Sequence, residues 1–325
     1  MLLGGAGVFA VHTAKFLLQL DQTTKVISVG RNIERGNHYT LGVGENDDRF
    51  EYHQIHMVFE TERLFQLINS EKPDYIINYA ALAYATSWEQ SYRYYETNLV
   101  AVAKICEFLN DKTYLKKFLQ IGTSELYGSV SKPADEKYPI SPTSPYAVSK
   151  LATDLHLETL FKVKSFNMNI LRPSNAYGEG QQVWRVLPKA ILYGLTNKKM
   201  PLEGGGVVKK SYLHAYDLAK AIYLVCQKGR AGEIYNVGPK DPIAIVDLIS
   251  LISQKLNMSL EDMCDFVPGR VGEDSQYWLD SSKIINELGW SQEVPLEEGI
   301  NLMISWGRKY KEVLLSQETS FTLRA

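Results

Sequence analysis

Short apolar segments alternate with longer helical patterns through the first half of this chain, and this alternation constrains the fold most. The segments with strand character are residues 25–30, 74–81, 116–124 and 166–173. The segments with helical periodicity are residues 59–70, 95–111 and 144–161. Strands that alternate with helices of this length build βαβ units on a parallel sheet. The sequence therefore predicts an α/β chain with a doubly wound parallel sheet of the Rossmann type.

The alternation loosens after Pro173, where glycine-rich and irregular segments are mixed with helices. We therefore predict a Rossmann domain in residues 1–173 and a smaller α/β domain that makes up most of residues 174–325. A strand-like segment near 232–238 is expected to return to the main sheet, so the boundary is not a single cut. The smaller domain is expected to carry the substrate contacts.

The charge balance and the cysteines exclude several classes of protein. Lys and Arg number 35 and Asp and Glu number 37, which gives a formal net charge of −2 over 325 residues. A chain so close to neutral lacks the basic surface that binds nucleic acid or a membrane, and no apolar run approaches the ~18 residues of a membrane span. Three widely spaced cysteines form no Cys-x-x-Cys pair, which argues against disulfides or a metal site and favours a reducing, cytoplasmic compartment.

A glycine-rich turn stands at the head of the series. Gly4, Gly7 and Ala10 follow an apolar Leu-Leu pair in a G-x-x-G-x-x-A pattern and precede a helical segment. Glycines let such a turn bend tightly and approach a pyrophosphate, which then lies at the N-terminus of the helix. An ordinary glycine-rich turn is the alternative, but the position at the head of a βαβ series favours a dinucleotide site.

The end of the second predicted strand indicates which dinucleotide is bound. An acid about 20 residues beyond the glycines usually holds the ribose hydroxyls of NAD, but this strand is followed by Arg31 and Asn32. A guanidinium at this position pairs with the 2′-phosphate of NADP. We therefore expect NADP, with NAD as the alternative and a solvated surface arginine as the third interpretation.

Two further motifs bring chemistry to the same edge of the sheet. Tyr146 and Lys150 are four residues apart, so a helix places them on one face. An ammonium near a phenol lowers the pKa of the phenol and makes it a usable base. The predicted strand at 116–124 delivers Thr123, Ser124 and Glu125 at its carboxyl end, where ligands bind in open parallel sheets.

These motifs resemble those of the extended short-chain dehydrogenase/reductases that modify nucleotide sugars. The resemblance covers nearly the whole chain and rests on the segments GGAGVFA (4–10), NYAA (78–81), ETN (96–98), TSELYG (123–128), DEKYPISPTSPYAVSK (135–150), RPSNAYG (172–178) and DSSKIINELGW (280–290). Within that family, an acid two residues after the threonine is typical of 4,6-dehydratases and is lacking in 4-epimerases. The pair Ser124-Glu125 is most similar to GDP-mannose 4,6-dehydratases, and UDP-glucuronate decarboxylases also carry Thr-Ser-Glu.

The resemblance implies a role for each of these side chains. Tyr146, with Lys150 beside it, takes the proton from the hydroxyl on sugar carbon 4, and Thr123 hydrogen-bonds the same oxygen. Hydride passes to a nicotinamide that stays bound and is recycled. Glu125 then removes the proton on carbon 5, and water leaves carbon 6, aided by Glu125 or Ser124. The hydride returns to carbon 6, and the product is a 4-keto-6-deoxy sugar.

The resemblance also implies the contacts of both ligands. The cofactor is expected to touch Gly4, Gly7, Phe9, Ala10, Arg31, Asn32, Ala80, Tyr146 and Lys150. The nucleotide sugar is expected to touch Tyr84, Asn175, Lys210 and Arg270. Lys210 stands where the family has a phosphate-binding arginine, and a solvated Lys209-Lys210 pair is the alternative interpretation.

One departure from the family pattern leaves other reactions open. Relatives read A-A-x-S-H-V beyond the fourth strand, whereas Ala83 and Tyr84 stand in place of the Ser and the His. The changed pocket suggests a different sugar or pose. A UDP-glucuronate decarboxylase-like enzyme and a nucleotide-sugar 4-dehydrogenase or epimerase are therefore alternatives. Nucleotide binding without catalysis is a further alternative, against which the complete set of catalytic residue types argues.

The predicted helices at 95–111 and 144–161 are apolar on more than one face. A helix that is apolar nearly all round is buried on several sides. Family members pair these two helices with those of a second copy, so the resemblance implies a homodimer. Burial under loops of the same chain is the alternative.

Overall fold

The computed structural model describes residues 1–33, 36–83, 88–269 and 275–318. Its strands, in chain order, are β1 (Leu2–Leu3), β2 (Val26–Gly30), β3 (Phe50–Gln54), β4 (Tyr75–Asn78), β5 (Lys117–Ile121), β6 (Met168–Pro173), β7 (Asn175–Tyr177), β8 (Met200–Glu203), β9 (Lys209–Lys210), β10 (Tyr212–His214), β11 (Ile234–Val237), β12 (Ile243–Ala244), β13 (Cys264–Val267) and β14 (Gln276–Tyr277). Its α-helices are α1 (Val8–Leu20), α2 (Asn37–Thr40), α3 (Thr61–Glu71), α4 (Tyr92–Tyr95), α5 (Ala101–Leu109), α6 (Pro145–Lys164), α7 (Val186–Gly194), α8 (Ala215–Lys228), α9 (Ile245–Lys255), α10 (Leu260–Met263), α11 (Ser282–Leu288), α12 (Leu296–Lys309) and α13 (Lys311–Leu315). Two 3-10 turns cover Ser124–Tyr127 and Gly204–Gly206, and a π-helical segment covers Glu96–Val100.

The largest sheet has seven parallel strands in the order β11-β6-β5-β4-β1-β2-β3. The chain runs outward from β1 through β2 to β3 and then crosses back to β4 on the other side of β1. In doubly wound sheets, ligands bind beyond the carboxyl ends of the strands at such a reversal. The predicted fold class is confirmed.

Helices cover both faces of this sheet. One face packs against α1 and α8, and that core includes Leu2 and Leu119 from the strands and Ile222 from α8. The other face packs against α3, α5 and α6, and that core includes Phe118 and Leu157. Strands that are buried on both faces are apolar along their whole length. This explains why the central strands can be recognised in the sequence as uninterrupted apolar runs.

The later part of the chain contributes to two cores. β11 pairs with β6 at one edge of the main sheet, with Ile234 opposite Ile170. A separate core lies between α7, α9 and α12 and includes Ile191, Ile249 and Ile304. Small sheets accompany it, in which β7 pairs with β10, β8 with β13, and β9 with both β12 and β14. Within the described residues, no helix is both long and apolar enough to cross a membrane.

Two elements differ from the sequence predictions. β3 lies at the sheet edge with half-buried, largely polar side chains, so it lacks the apolar run that marks the other strands. The helix predicted at 95–111 is divided into α4, the π-helical segment and α5. Single π-helical turns within helices occur frequently at functional sites.

The π-helical segment places Asn98 where it joins three parts of the fold. The buried amide of Asn98 donates to Leu82 O at 3.1 Å and to Ser149 Oγ at 2.9 Å, and its Oδ1 accepts from Leu82 N at 2.9 Å. Thr153 Oγ1 donates to the carbonyl of Asn98 at 2.6 Å. The loop after β4 and helix α6 are therefore held to one another through a single side chain.

Candidate active site

The turn between β1 and α1 is built on glycines because the neighbouring strands leave no room for side chains. Gly4 has a φ of +80°, and a Cβ there would lie 2.7 Å from Ala80 N. A Cβ on Gly5 would lie 2.6 Å from Ser28 Cβ. Gly7 caps α1 in an extended conformation, without a side-chain hydrogen bond to the helix. The first N–H groups of α1 have no intrahelical acceptor, and such a helix end attracts phosphate.

Three further predicted cofactor contacts surround this turn. Phe9 and Ala10 lie in the first turn of α1, where Ala10 is buried against the sheet. Ala80 follows β4, and its N–H donates to Asn78 Oδ1 at 3.1 Å. These residues therefore follow β1 and β4, the neighbouring strands at the reversal of the sheet.

A small pocket adjoins the glycine turn. It is lined by Gly5, Ala6, Val11, Tyr39, Thr40, Val43, Phe50 and Tyr52. Arg31 and Asn32 are exposed just after β2, and Tyr52 Oη donates to the carbonyl of Asn32 at 2.5 Å. The predicted cofactor residues at the end of β2 therefore adjoin a small, largely apolar pocket beside the glycine turn.

The 3-10 turn after β5 brings the Thr-Ser-Glu motif to the carboxyl edge of the sheet. Thr123 Oγ1 caps the turn by accepting a hydrogen bond from Glu125 N at 3.2 Å. Thr123 and Ser124 are buried, and Glu125 is half-buried. Thr123 also hydrogen-bonds to the side chain of Tyr146, and the charge of Glu125 acts on the same phenol. The structure thus brings together a hydroxyl and a carboxylate from the 3-10 turn and a phenol that follows them in the sequence after a long loop.

Lys150 follows Tyr146 by one turn of α6 and is almost completely buried. Its Nζ donates to the carbonyl of Ile121, the last residue of β5, at 2.6 Å. Burial lowers the pKa of Lys150 to about 8, and the charge of Asp154 opposes this shift. Lys150 therefore holds α6 against the end of β5 and still carries its proton at neutral pH.

The ionisation of Tyr146 differs from the sequence prediction. Burial and the carboxylate of Glu125 raise the pKa of this phenol, whereas the Thr123 hydrogen bond and the charge of Arg185 act in the opposite direction. The expectation that a neighbouring ammonium lowers the pKa of Tyr146 is wrong for this arrangement. The ammonium donates to a backbone carbonyl instead, and desolvation of the phenolate outweighs the favourable contacts.

Two of the predicted substrate residues lie on strands of the smaller sheets. Asn175 starts β7, and its buried Oδ1 has no hydrogen-bond partner among the described residues. Lys210 ends β9, half-buried, with Nζ 5.7 Å from the centroid of the Tyr277 ring. Tyr84 and Arg270 lie outside the described residues.

Comparison with known proteins identifies the family. A model of the family described as GDP-mannose 4,6 dehydratase matches residues 1–303. The chain belongs to this family. The dTDP-D-glucose 4,6-dehydratase of Homo sapiens is 30% identical over 94% of this chain and 89% of its own length. The dTDP-glucose 4,6-dehydratase of Haemophilus influenzae is 28% identical over 93% of this chain and 96% of its own length.

A solved structure gives the same result for the fold. The dTDP-glucose 4,6-dehydratase of Streptomyces venezuelae, solved with NAD bound, superposes with a TM-score of 0.88 at 26% identity and covers 96% of this chain and 97% of that one. The predicted resemblance to extended short-chain dehydrogenase/reductases of the 4,6-dehydratase type is confirmed, and so is the predicted enzyme class.

Two charged features of this site were not predicted from the sequence. Arg185 precedes α7, donates from Nη2 to the carbonyl of Ala83 at 3.2 Å and exerts its charge on Tyr146. Asp154 and Arg172 form a buried ion pair with an N–O distance of 3.0 Å. Arg185 belongs to no motif that would single it out. Asp154 could have been found, because it follows Lys150 by four residues on the same face of a helix.

The lowered pKa of Lys150 predicts a pH-dependent contribution to stability. The unfolded chain keeps this proton up to about pH 10.5, whereas the folded chain releases it near pH 8. Between these values the unfolded state binds more protons, so the folded state gains stability as the pH rises. Relative to Lys150→Met, we expect the free energy of unfolding of the wild type to rise by about 1–2 kcal/mol between roughly pH 7.5 and pH 9.5.

Urea unfolding at each pH measures this difference. Lys164→Met, at an exposed position on the same helix, is the matched control and should show no such rise. If the difference in free energy of unfolding between the wild type and Lys150→Met stays constant or falls as the pH rises, the lowered pKa of Lys150 is contradicted.

Proposed function

We propose that this chain is a nucleotide-sugar 4,6-dehydratase, which converts the sugar to its 4-keto-6-deoxy form. The observation that carries the proposal is the half-buried carboxylate of Glu125, whose charge acts on Tyr146 beside Thr123. A carboxylate at this position is needed for an elimination and not for oxidation at carbon 4. The names of the relatives, which are 4,6-dehydratases, support the same reaction.

Each side chain has its own role in the proposed reaction. Tyr146 and Thr123 bind the hydroxyl on carbon 4, and Tyr146 accepts its proton. The charge of Arg185 and the Thr123 hydrogen bond favour the phenolate, and Lys150 holds the helix that carries Tyr146 against the end of β5. A ketone at carbon 4 acidifies the proton on carbon 5, which Glu125 removes as a general base.

The departing water takes a proton from a neighbouring acid. Glu125 is protonated once it has taken the carbon 5 proton, and Ser124 lies next to it in the same turn. Either group can therefore protonate the hydroxyl that leaves carbon 6. A bound nicotinamide cofactor supplies the acceptor and then the donor of the hydride.

The glycine turn fits a dinucleotide, because Gly7 caps α1 without a side-chain hydrogen bond and so leaves the first N–H groups of the helix for a phosphate. We propose that the cofactor is NADP. The support is Arg31, an exposed cation at the position where NAD-binding relatives of this fold carry an acid. NAD, which the solved Streptomyces venezuelae enzyme binds, is the alternative.

The nucleotide sugar is proposed to bind mainly to residues 174–325, and the cofactor to residues 1–173. Asn175 and Lys210 come from strands of the smaller sheets, and an ammonium on such a strand suits a diphosphate. The pair Ser124-Glu125 favours a GDP-mannose-like substrate, whereas the named relatives favour dTDP-glucose. Both sugars therefore belong in the first substrate panel.

A decarboxylase of a nucleotide uronic acid is the second candidate, and one observation favours it. That reaction needs a basic residue that faces the sugar carboxylate, and Arg185 places a guanidinium close enough to act on Tyr146. Release of carbon dioxide from a UDP-uronic acid would decide for this reaction.

We also propose a homodimer through the helices at 95–111 and 144–161. Val100 and Leu155 are 45% and 53% exposed on these helices, and Val148 is 39% exposed. Apolar side chains that share exposed helical faces mark a surface that a partner covers. A second copy of the chain offers the same two helices.

A cytoplasmic location is proposed from the cysteines. Cys106, Cys226 and Cys264 are all buried and unpaired. Thiols persist in this state where the compartment is reducing.

Replacing the carboxylate tests the elimination. We expect Glu125→Gln to lower the rate of net water loss by about 100-fold or more, because general-base catalysis contributes on that scale. Oxidation at carbon 4 should persist and appear as the absorbance of reduced nicotinamide in a single turnover. The control is Glu107→Gln at an exposed position of α5. Full turnover by Glu125→Gln would rule out this role.

Replacing Arg31 tests the cofactor. In Arg31→Asp, a carboxylate would repel the 2′-phosphate and accept hydrogen bonds from the ribose hydroxyls. We expect NADP to bind about 10- to 100-fold more weakly and NAD to bind as well or better, as measured by calorimetry. Arg308→Asp on α12, which also replaces an exposed arginine, is the control. Unchanged NADP affinity would overturn the NADP proposal.

Placing a charge on α6 tests the dimer. Leu155→Asp should give a monomer at micromolar concentration by light scattering, because a buried unpaired carboxylate destabilises the interface. Val163→Asp, near the end of the same helix and outside the proposed interface, should remain dimeric. A monomeric wild type would refute the interface outright.

A further inference from the structure

A chain of buried polar groups connects helix α6 to the turn that carries Glu125. Arg172 on β6 is 2% exposed, and its Nε donates to Oδ2 of the fully buried Asp154 at 3.0 Å. Arg172 Nη1 donates to Tyr127 Oη at 2.8 Å, and Tyr127 Oη donates to Asn236 Oδ1 at 3.0 Å. Each group in the chain is therefore held by the next one.

Two members of this chain, Asp154 and Tyr127, lie at the catalytic motifs. Asp154 follows Lys150 by four residues, so both lie on one face of α6. Tyr127 ends the same 3-10 turn in which Glu125 lies. The Arg172 side chain packs against Gly122, where a Cβ would lie 2.9 Å from Arg172 Cγ. Arg172 therefore packs against Gly122, which leads into the turn, and also bonds to helix α6.

The charges in this group are unequal in number. Two buried cations, Lys150 and Arg172, share the single carboxylate of Asp154, and Asp154 Oδ1 has no hydrogen-bond partner among the described residues. Asp154 is the charge that raises the pKa of Lys150 against the effect of burial. An isolated buried ion pair stabilises a fold little compared with apolar packing. The position of the Asp154–Arg172 pair between two catalytic motifs therefore indicates a role other than stabilising the fold.

Other titratable groups also face this region and contribute to the pH dependence of the site. From α6, Tyr146 and Glu158 flank the Lys150–Asp154 face, and Glu158 acts on Asp154. Glu125 and Arg185 act on Tyr146. Tyr127, on the 3-10 turn, is buried against Arg172, and its pKa is raised by burial.

We propose that Asp154 is a positioning residue for the dehydration. Through Arg172 and Tyr127 it fixes the turn of Glu125 against α6, and its carboxylate keeps Lys150 in the ammonium form. This inference rests on the proposed function, because the role that it gives to the protonated Lys150 is to support Tyr146 in that reaction.

Asp154→Asn is the direct test, since it removes the charge and keeps the shape and a hydrogen-bond acceptor for Arg172. In the wild type, kcat should fall above about pH 8, where Lys150 loses its proton. In the variant, this alkaline limb should move to lower pH by about one unit, because the charge that stabilises the ammonium is gone. The value of kcat at its optimum should fall at least about tenfold, and KM should change little.

Two variants separate positioning from loss of structure. Asp217→Asn removes another buried carboxylate, which accepts hydrogen bonds from Glu293 N and Val294 N, and should leave the alkaline limb in place. Tyr127→Phe breaks the link to the turn and leaves Lys150 and Asp154 intact. It should lower kcat without moving the limb.

A double variant keeps the test available if Asp154→Asn does not fold. Asp154→Asn with Arg172→Gln removes both members of the ion pair, and this leaves no uncompensated charge on the pair. Because Asp154 is the charge that acts on Lys150, the alkaline limb of the double variant should still move to lower pH.

A substrate-free measurement keeps the two proposals distinguishable. The titration of Lys150 can be followed by NMR of the full chain with ¹³C-labelled lysine, with Lys150→Met for assignment. A lowered midpoint in Asp154→Asn supports the inference even if no nucleotide sugar is dehydrated, which would refute the proposed function alone. An unchanged midpoint, or a wild-type pH profile and kcat, would overturn the role of Asp154.

Discussion

The site depends on one hydrogen bond, from the buried ammonium of Lys150 to the carbonyl of Ile121 at 2.6 Å. A buried cation is costly unless it is hydrogen-bonded and balanced by charge, and here the end of β5 and Asp154 provide both. The bond fixes α6 against the strand that leads into the Thr-Ser-Glu turn. Tyr146, one turn before Lys150, is thereby held at the Thr123 hydroxyl and near the Glu125 carboxylate.

The parallel sheet explains why the other groups converge on the same place. All seven strands of the main sheet point the same way, so every βα loop leaves from one edge. The glycine turn follows β1, Ala80 follows β4 and the Thr-Ser-Glu turn follows β5, and these three strands are neighbours in the order β5-β4-β1. A dinucleotide bound at the reversal between β1 and β4 would thus lie beside the Tyr146 helix without any long excursion of the chain. Asn98 then holds the loop after β4 to that helix.

Much of this arrangement can be predicted from the sequence because it is local. Apolar runs predict the strands that are buried on both faces, and the helical periodicity at 144–161 predicts α6. β3 could not be predicted in this way, because an edge strand carries polar side chains on its exposed face. The Asp154–Arg172 pair and the approach of Arg185 to Tyr146 could not be predicted for another reason. They join segments that only the folded sheet brings together, and no spacing in the sequence encodes that contact.

The central claim is that these side chains dehydrate a nucleotide sugar, and mass spectrometry of the reaction tests it most directly. The purified chain would be incubated without added cofactor with GDP-, dTDP-, UDP- and CDP-hexoses and with a UDP-uronic acid. Loss of one water from a neutral sugar, with no net change in bound cofactor, is the result that this account predicts. A product that has lost only two hydrogens, or carbon dioxide from the uronic acid alone, would contradict it.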